Sequence, residues 1–229
     1  MLLQILFNGS IGTETKLAII IPYIISVLII IFLILPIHEL AHGWVACKLG
    51  DNTAKRDGRL TLNPLPSISP IGSLFLLLFG FGWARPVAVN PSNFKHPRVG
   101  MALTALAGPM SNLICGFLGA IILWGIFYGT GNSMPDWVNY FFSTYIQMNV
   151  AIAVFNLVPI PPLDGSKILG AFLPDRVREM FYRYQMIFIA IAFVILFTDI
   201  LNRPLSIVMN ACLDAVYWLA QQPFHWFGL

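Results

Sequence analysis

Residues Leu17 to Leu49 form one run of 33 in which Tyr23 and Ser26 are the only polar side chains before His38. As a single helix this run is about 50 Å long, against a bilayer hydrocarbon core of about 30 Å. A chain that carries it must place it in a membrane, and must also tilt it, let it protrude or bend it. Pro36 is the expected bend, because a proline ring clashes with the carbonyl four residues earlier in a helix. The same run contains His38-Glu39-Leu40-Ala41-His42. Positions i and i+4 lie one turn apart, so both imidazoles project from one face. Two neutral imidazoles at that spacing can grip one Zn²⁺, and the carboxylate of Glu39 can take a proton from water that the metal activates. Ionisable groups at membrane depth are expensive, which marks them as functional. The competing reading is a chance match with two buried histidines; a random chain of this length shows the pattern roughly 1% of the time or less.

Composition agrees with the membrane reading. The chain is 58% hydrophobic and 10% charged, with mean hydropathy +0.78, whereas soluble domains carry about 25% charged residues. The expected fold is a polytopic α-helical membrane protein with about five to six transmembrane segments, a re-entrant segment and short membrane-associated β-strands. All 229 residues form a single integral membrane domain on this reading, with a catalytic core at about 17–170 and C-terminal helices at about 184–222. The net charge of +3 is small and spread over loops, which excludes nucleic acid as a partner and points to membrane topology. Cys47, Cys115 and Cys212 have no paired spacing and read as small buried filler. Met1 to Phe7 lacks the basic start of a secretory signal peptide and suits the membrane interface.

Further spans are expected at about Gly100 to Tyr128, Trp137 to Val158, Gln185 to Leu201 and Leu205 to Ala220. Pro70 to Phe81 is apolar but too short to cross, and basic residues flank it on both sides, so it reads as a dip into the membrane and back. Lys and Arg concentrate in loops 48–69, 84–98 and 165–183, while 129–136 has none. The positive-inside rule places those three loops in the cytoplasm and the N-terminus outside. The ends of the first and third spans then share a side, which brings His42 and Asp164 to similar depth.

A zinc hydrolase needs three protein ligands and one open position. Asp164, His96, His225, Asp199 and Asp214 are the candidates for the third. Asp164 follows the Pro-rich break Pro159-Ile160-Pro161-Pro162, where an unwound helix points a carboxylate inward; its ordinary alternative is a turn or N-cap residue. Depth-matching with His42 favours the ligand. Asn112 can donate to a developing oxyanion or hold a neighbouring helix, the second being the commoner use of a membrane asparagine. Asn156 reads as steadying the break before Asp164. The stretches 59–64 and 84–91 alternate and both end in Asn-Pro, which suggests short surface strands whose edge could pair with an extended substrate.

Three motifs together carry a resemblance. His38-Glu39-Leu40-Ala41-His42-Gly43, Ala107-Gly108-Pro109-Met110-Ser111-Asn112 and Asn156-Leu157-Val158-Pro159-Ile160-Pro161-Pro162-Leu163-Asp164-Gly165 occur in this order over residues 38 to 170. With them the chain resembles the site-2 protease family of intramembrane zinc metalloproteases. Residues 58–64 and 82–91 look like its compact prokaryotic branch. The resemblance implies one Zn²⁺ held by His38, His42 and Asp164, with Glu39 as the catalytic carboxylate. It also implies a transmembrane or membrane-tethered protein substrate and a prokaryotic cell membrane; the loop charges put the active site towards the cytoplasm. Many relatives carry a PDZ or CBS regulatory domain, and neither fits this length. Two other classes compete: a transporter or metal-handling protein, since ionisable pairs within spans also mark ion paths, and a scaffold around a closed structural zinc.

Overall fold

The computed structural model describes residues 2–7, 9, 12–131, 133–184, 186–188, 190 and 199–226. Ten helices carry the described part, here α1 Leu2–Phe7, α2 Thr13–Ile29, α3 Leu35–Lys48, α4 Thr53–Arg56, α5 Pro70–Phe79, α6 Pro97–Gly129, α7 Asp136–Asn156, α8 Asp164–Gly170, α9 Asp175–Arg183 and α10 Asp199–Trp226. Of the span expected at 185–201, residues 185, 189 and 191–198 lie outside the described residues.

The first apolar run is continuous from Thr13 to Lys48. Its interruption is a π-helical turn, Ile30–Ile34, between α2 and α3. There the Leu35 N–H reaches back five residues to the Ile30 carbonyl, immediately before Pro36. The widened turn makes room for a ring that would crowd an ordinary one, so the proline expected to bend the run is matched by a local change of pitch.

Two helical stretches, Thr13–Lys48 and Pro97–Gly129, are long and apolar enough to cross a bilayer. Their packing is that of a membrane protein. On α6 the buried positions include Gly100, Thr104, Ala105, Gly108, Asn112, Gly116, Gly119 and Ala120. Its outward positions are Leu103, Leu106, Met110, Ile114, Leu118 and Ile122. Both sets recur at spacings of three and four, so one face is small or polar and the other large and apolar. That is the reverse of a water-soluble helix and suits lipid outside with close helix contact inside. A Cβ on Gly119 would come within 2.7 Å of the Tyr145 ring, which shows how near α7 lies.

One core joins Tyr23, Val27, Ile30 and Ile34 to Leu76 of α5 and Met148 of α7. A second joins Ala120 and Leu123 of α6 to Ile146, Val150 and Val154 of α7 and to Val216 and Ala220 of α10. The helix α5 is about 15 Å long, half the hydrocarbon thickness, and it stops at Gly80, whose φ of 82° is left-handed. The chain then folds back along it: a Cβ on Gly72 would strike the Trp83 backbone. The Tyr23 hydroxyl donates to the Leu77 carbonyl at 3.0 Å and ties α5 to α2.

No strand forms among the described residues, which corrects the expectation for 59–64 and 84–91. Residues 81–90 form no ladder, and three of their amides bond to groups outside any strand. The Arg85 N–H goes to the Ser67 carbonyl at 2.8 Å, and Val87 N–H to the Glu39 carboxylate at 2.7 Å. Asn90 N–H goes to Asp51 Oδ2 at 2.7 Å. The guanidinium of Arg59 donates to the carbonyls of Pro66 and Arg85 at 2.8 and 2.7 Å. Alternation signals a chain with two unlike faces, not the presence of a neighbour to pair with.

Asp51 closes this arrangement. It is fully buried just beyond α3 and accepts from the Thr53 hydroxyl and amide, the Asn93 side chain and the Asn90 amide. Burial by itself would raise its pKa; the hydrogen bonds outweigh that and hold the carboxyl below its ordinary range. A depressed folded pKa stabilises the fold above the unfolded value of about 3.9 and stops doing so as pH falls through the folded one. Asp51→Asn is therefore expected to cost about 1–3 kcal/mol at neutral pH. In unfolding measured in detergent, its deficit against the parent should shrink as pH drops below about 4.

Candidate metal centre

The helix α3 places His38 and His42 on one face and Glu39 beside them, all buried. Asp164 is the first residue of α8, after the turn that follows α7. Its side chain makes no cap to its own helix and points instead at the two imidazoles. His42 Nε2 lies 3.1 Å from His38 Nε2, and Asp164 Oδ2 lies 3.4 and 3.1 Å from the two in the order His38, His42. Among the described residues, these three are the group of His, Cys, Asp and Glu side chains able to hold a metal ion.

The triangle has the dimensions of a zinc site. Ligands at about 2.0–2.1 Å from a tetrahedral ion are about 3.3 Å apart. The far nitrogens of both rings are engaged by acceptors: His38 Nδ1 by Asn112 Oδ1 at 2.5 Å, and His42 Nδ1 by the Thr104 carbonyl at 2.7 Å. Neutral rings therefore carry their protons on Nδ1 and turn lone pairs towards each other and towards a carboxylate. A shared cation or proton must relieve that arrangement, and a His, His, Asp donor set is one that Zn²⁺ accepts.

Helix α6 forms the wall behind the rings. Thr104, Gly108 and Asn112 sit at spacings of four on its buried face. A Cβ on Gly108 would overlap ring atoms of His42 and come within 2.6 Å of His38 Cε1. Only glycine lets α6 pass this close. Asn112 is fully buried, with its oxygen on His38 and its amide 3.4 Å from Asn149 Oδ1. The structure thus places Asn112 behind a histidine rather than on the cleft.

In front of the triad is a cleft of about 560 Å³, bordered by Glu39, Val87, Thr104, Asn156 and Lys167 among others. Glu39 Oε2 accepts the Val87 amide, which leaves Oε1 for the cleft. Thr104 Oγ1 is buried without a hydrogen-bond partner among the described residues. Asn156 donates to the Ile152 carbonyl at 2.9 Å and so holds the end of α7. The other candidates lie elsewhere. His96 precedes α6, exposed and making no side-chain cap, and His225 is exposed in the last turn of α10. Cys47 donates to Asn52. Sequence reading missed the Thr104 carbonyl, the Val87 amide and Lys167, whose ammonium lies 2.9 Å from Asp164 Oδ1. The spacing of Thr104, Gly108 and Asn112 was the available clue to α6; nothing local announced the other two.

Fold and site together describe a helical protein with spans apolar enough for a membrane, whose buried His, His, Asp cluster can hold a metal ion and borders a cleft. The family profile of peptidase family M50 matches residues 124–198. A protein of Bacillus subtilis provisionally named zinc metalloprotease YwhC is 40% identical over 199 residues, covering 85% of this chain and 89% of its own length. The provisionally named zinc metalloprotease Rip2 of Mycolicibacterium smegmatis is 31% identical over 176 residues, covering 73% of this chain and 64% of its own. Another provisionally named zinc metalloprotease, MJ0611 of Methanocaldococcus jannaschii, is 32% identical over 133 residues, 58% of this chain and 62% of its own. No solved structure matches. The chain belongs to peptidase family M50, the site-2 protease family, and is a zinc metalloprotease.

Gly108→Ala is expected to displace both imidazoles and weaken metal retention by about 10–100-fold, the range for disturbing the support of a ligand. Zinc content of the purified protein by atomic emission, against the parent, checks it.

Proposed function

We propose that this metalloprotease cuts transmembrane or membrane-tethered proteins within the bilayer of a prokaryotic cell, at a site reached from the cytoplasm. The observation that carries the reading is the buried triangle of His38 Nε2, His42 Nε2 and Asp164 Oδ2, with Glu39 beside it on an open cleft. These lie within and beside the helical stretch Thr13–Lys48, the more apolar of the two candidate spans.

His38, His42 and Asp164 would hold one Zn²⁺. When bound, the ion supplies Lewis acidity, making water a nucleophile near neutral pH and polarising a peptide carbonyl. The Val87 amide holds Glu39 Oε2, so Oε1 takes the proton of the attacking water, and the same carboxyl returns it to the leaving amine. Asn112 and the Thr104 carbonyl keep the imidazoles in the required tautomer and orientation, which makes Asn112 a positioning residue. Three protein donors and an adjoining cleft favour a hydrolytic centre over a closed structural one.

A helical substrate must be extended before it is cut. Among the described residues, the carbonyls of Pro86 to Val89 and the amides of Ala88 and Val89 have no protein partner. We assign this segment, which borders the cleft through Val87 and Val89, the task of pairing with substrate backbone. The N-terminus lies outside. Two basic loops meet through Arg98 and Asp175 at 2.9 Å, and Asp51 joins the third, so all three face the cytoplasm. In this arrangement α7 and α10 also cross, and α5 is re-entrant.

Glu39→Gln is expected to keep zinc while lowering cleavage of a single-span substrate by about 10²–10⁴-fold or more. Product masses from purified protein, with and without a chelator, measure it. Undiminished cleavage by the variant would remove the mechanism.

A further inference from the structure

We infer that Lys167 is a positioning residue of the metal centre: it holds Asp164 by one carboxylate oxygen, so that only the other is offered to the metal. The inference rests on the metal being held by the triad, as proposed above.

The two oxygens of Asp164 have separate partners. Oδ2 faces both imidazoles, at 3.4 and 3.1 Å, while Oδ1 lies 2.9 Å from Lys167 Nζ. Asp164 and Lys167 are at i and i+3 on α8, so one helical turn sets the pair rigidly. The Lys167 side chain is 35% exposed, against 7% for Asp164. A lysine at a cleft mouth ordinarily turns its ammonium to water; this one bends inward. Among the described residues, its ion pair is with Asp164 alone.

A carboxylate can bind a metal through one oxygen or through both. Using both would draw Oδ1 towards the metal and weaken its charge-assisted hydrogen bond to the ammonium, one of the stronger kinds. It would also fill or crowd the position that a hydrolytic zinc must leave open. Lys167 therefore selects one-oxygen binding and keeps the ligand rotamer set before the metal arrives. Its position serves the cleft as well, since it borders both the site and a neighbouring groove of about 570 Å³ that shares Val89, Met101 and Pro162 with it.

The test uses the full chain purified in detergent, with zinc affinity from chelator competition and the visible spectrum of the cobalt-loaded protein. Parent, D164A, K167M, K167A and K167R are compared. Lys167 is partly exposed, so its variants are expected to fold, and two neutral replacements guard against an effect peculiar to one. The expected result is zinc affinity about 10–100-fold weaker in K167M and K167A and near parental in K167R. The cobalt bands should weaken in the neutral variants as coordination number rises. Parental affinity and an unchanged cobalt spectrum in K167M and K167A would overturn the role of Lys167. A parent that binds no zinc, or a D164A that binds it as the parent does, would instead overturn the triad itself.

Discussion

Three lone-pair-bearing atoms held 3.1 to 3.4 Å apart inside an apolar helix assembly are the constraint on which this structure turns. Two imidazoles and a carboxylate gain nothing from being buried together; each would be better solvated in water. They stay because their outer atoms are anchored: Nδ1 of His38 to Asn112, Nδ1 of His42 to Thr104, Oδ1 of Asp164 to Lys167. The inner atoms are left facing a common point. A divalent cation there turns an unfavourable arrangement into a favourable one, so metal binding and the local fold support each other.

Meeting that constraint dictates the character of α6. The helix must bring a carbonyl and an amide oxygen to the imidazoles, and must come close enough that a single methyl at Gly108 would collide with them. Its inner face is therefore small and polar where a soluble protein would put its bulk. The bulk goes outward, as Leu103, Met110, Ile114, Leu118 and Ile122. In lipid nothing penalises such an exterior, and close packing with interhelical hydrogen bonds replaces the expulsion of water as the force between helices.

The segment 81–90 shows the same economy in extended backbone. Four of its polar groups bond to Ser67, Arg59, Asp51 and Glu39, which lie on different parts of the chain. One of these partners is the residue proposed to move the proton. The loop that covers the cleft is thus tied to the chemistry below it through the Val87 amide. Its far end is held by the buried Asp51 cluster.

Much of the site could be read from sequence because its signals are local. The i, i+4 spacing puts His38 and His42 on one face whatever surrounds them, and a run from Leu17 to Leu49 with so little polarity requires a membrane. The charge of the loops then brought Asp164 to the depth of His42, and three motifs in order pointed to the family. The strand expectation failed because alternation describes one segment, whereas a strand needs a neighbour, and here side chains took the neighbour's place. Asn112 was visible as a polar residue in a span, but either of its two uses fitted. In the tertiary structure its oxygen lies against a ring 74 residues away. The Val87 amide on Glu39, the Thr104 carbonyl on His42 and the inward turn of Lys167 also appeared only with the coordinates. The first two contacts join segments 48 and 62 residues apart, and even the short-range third depends on Asp164 being drawn to the histidines. Spacing along a chain specifies what one helix presents; which group meets it is settled by how separate helices pack.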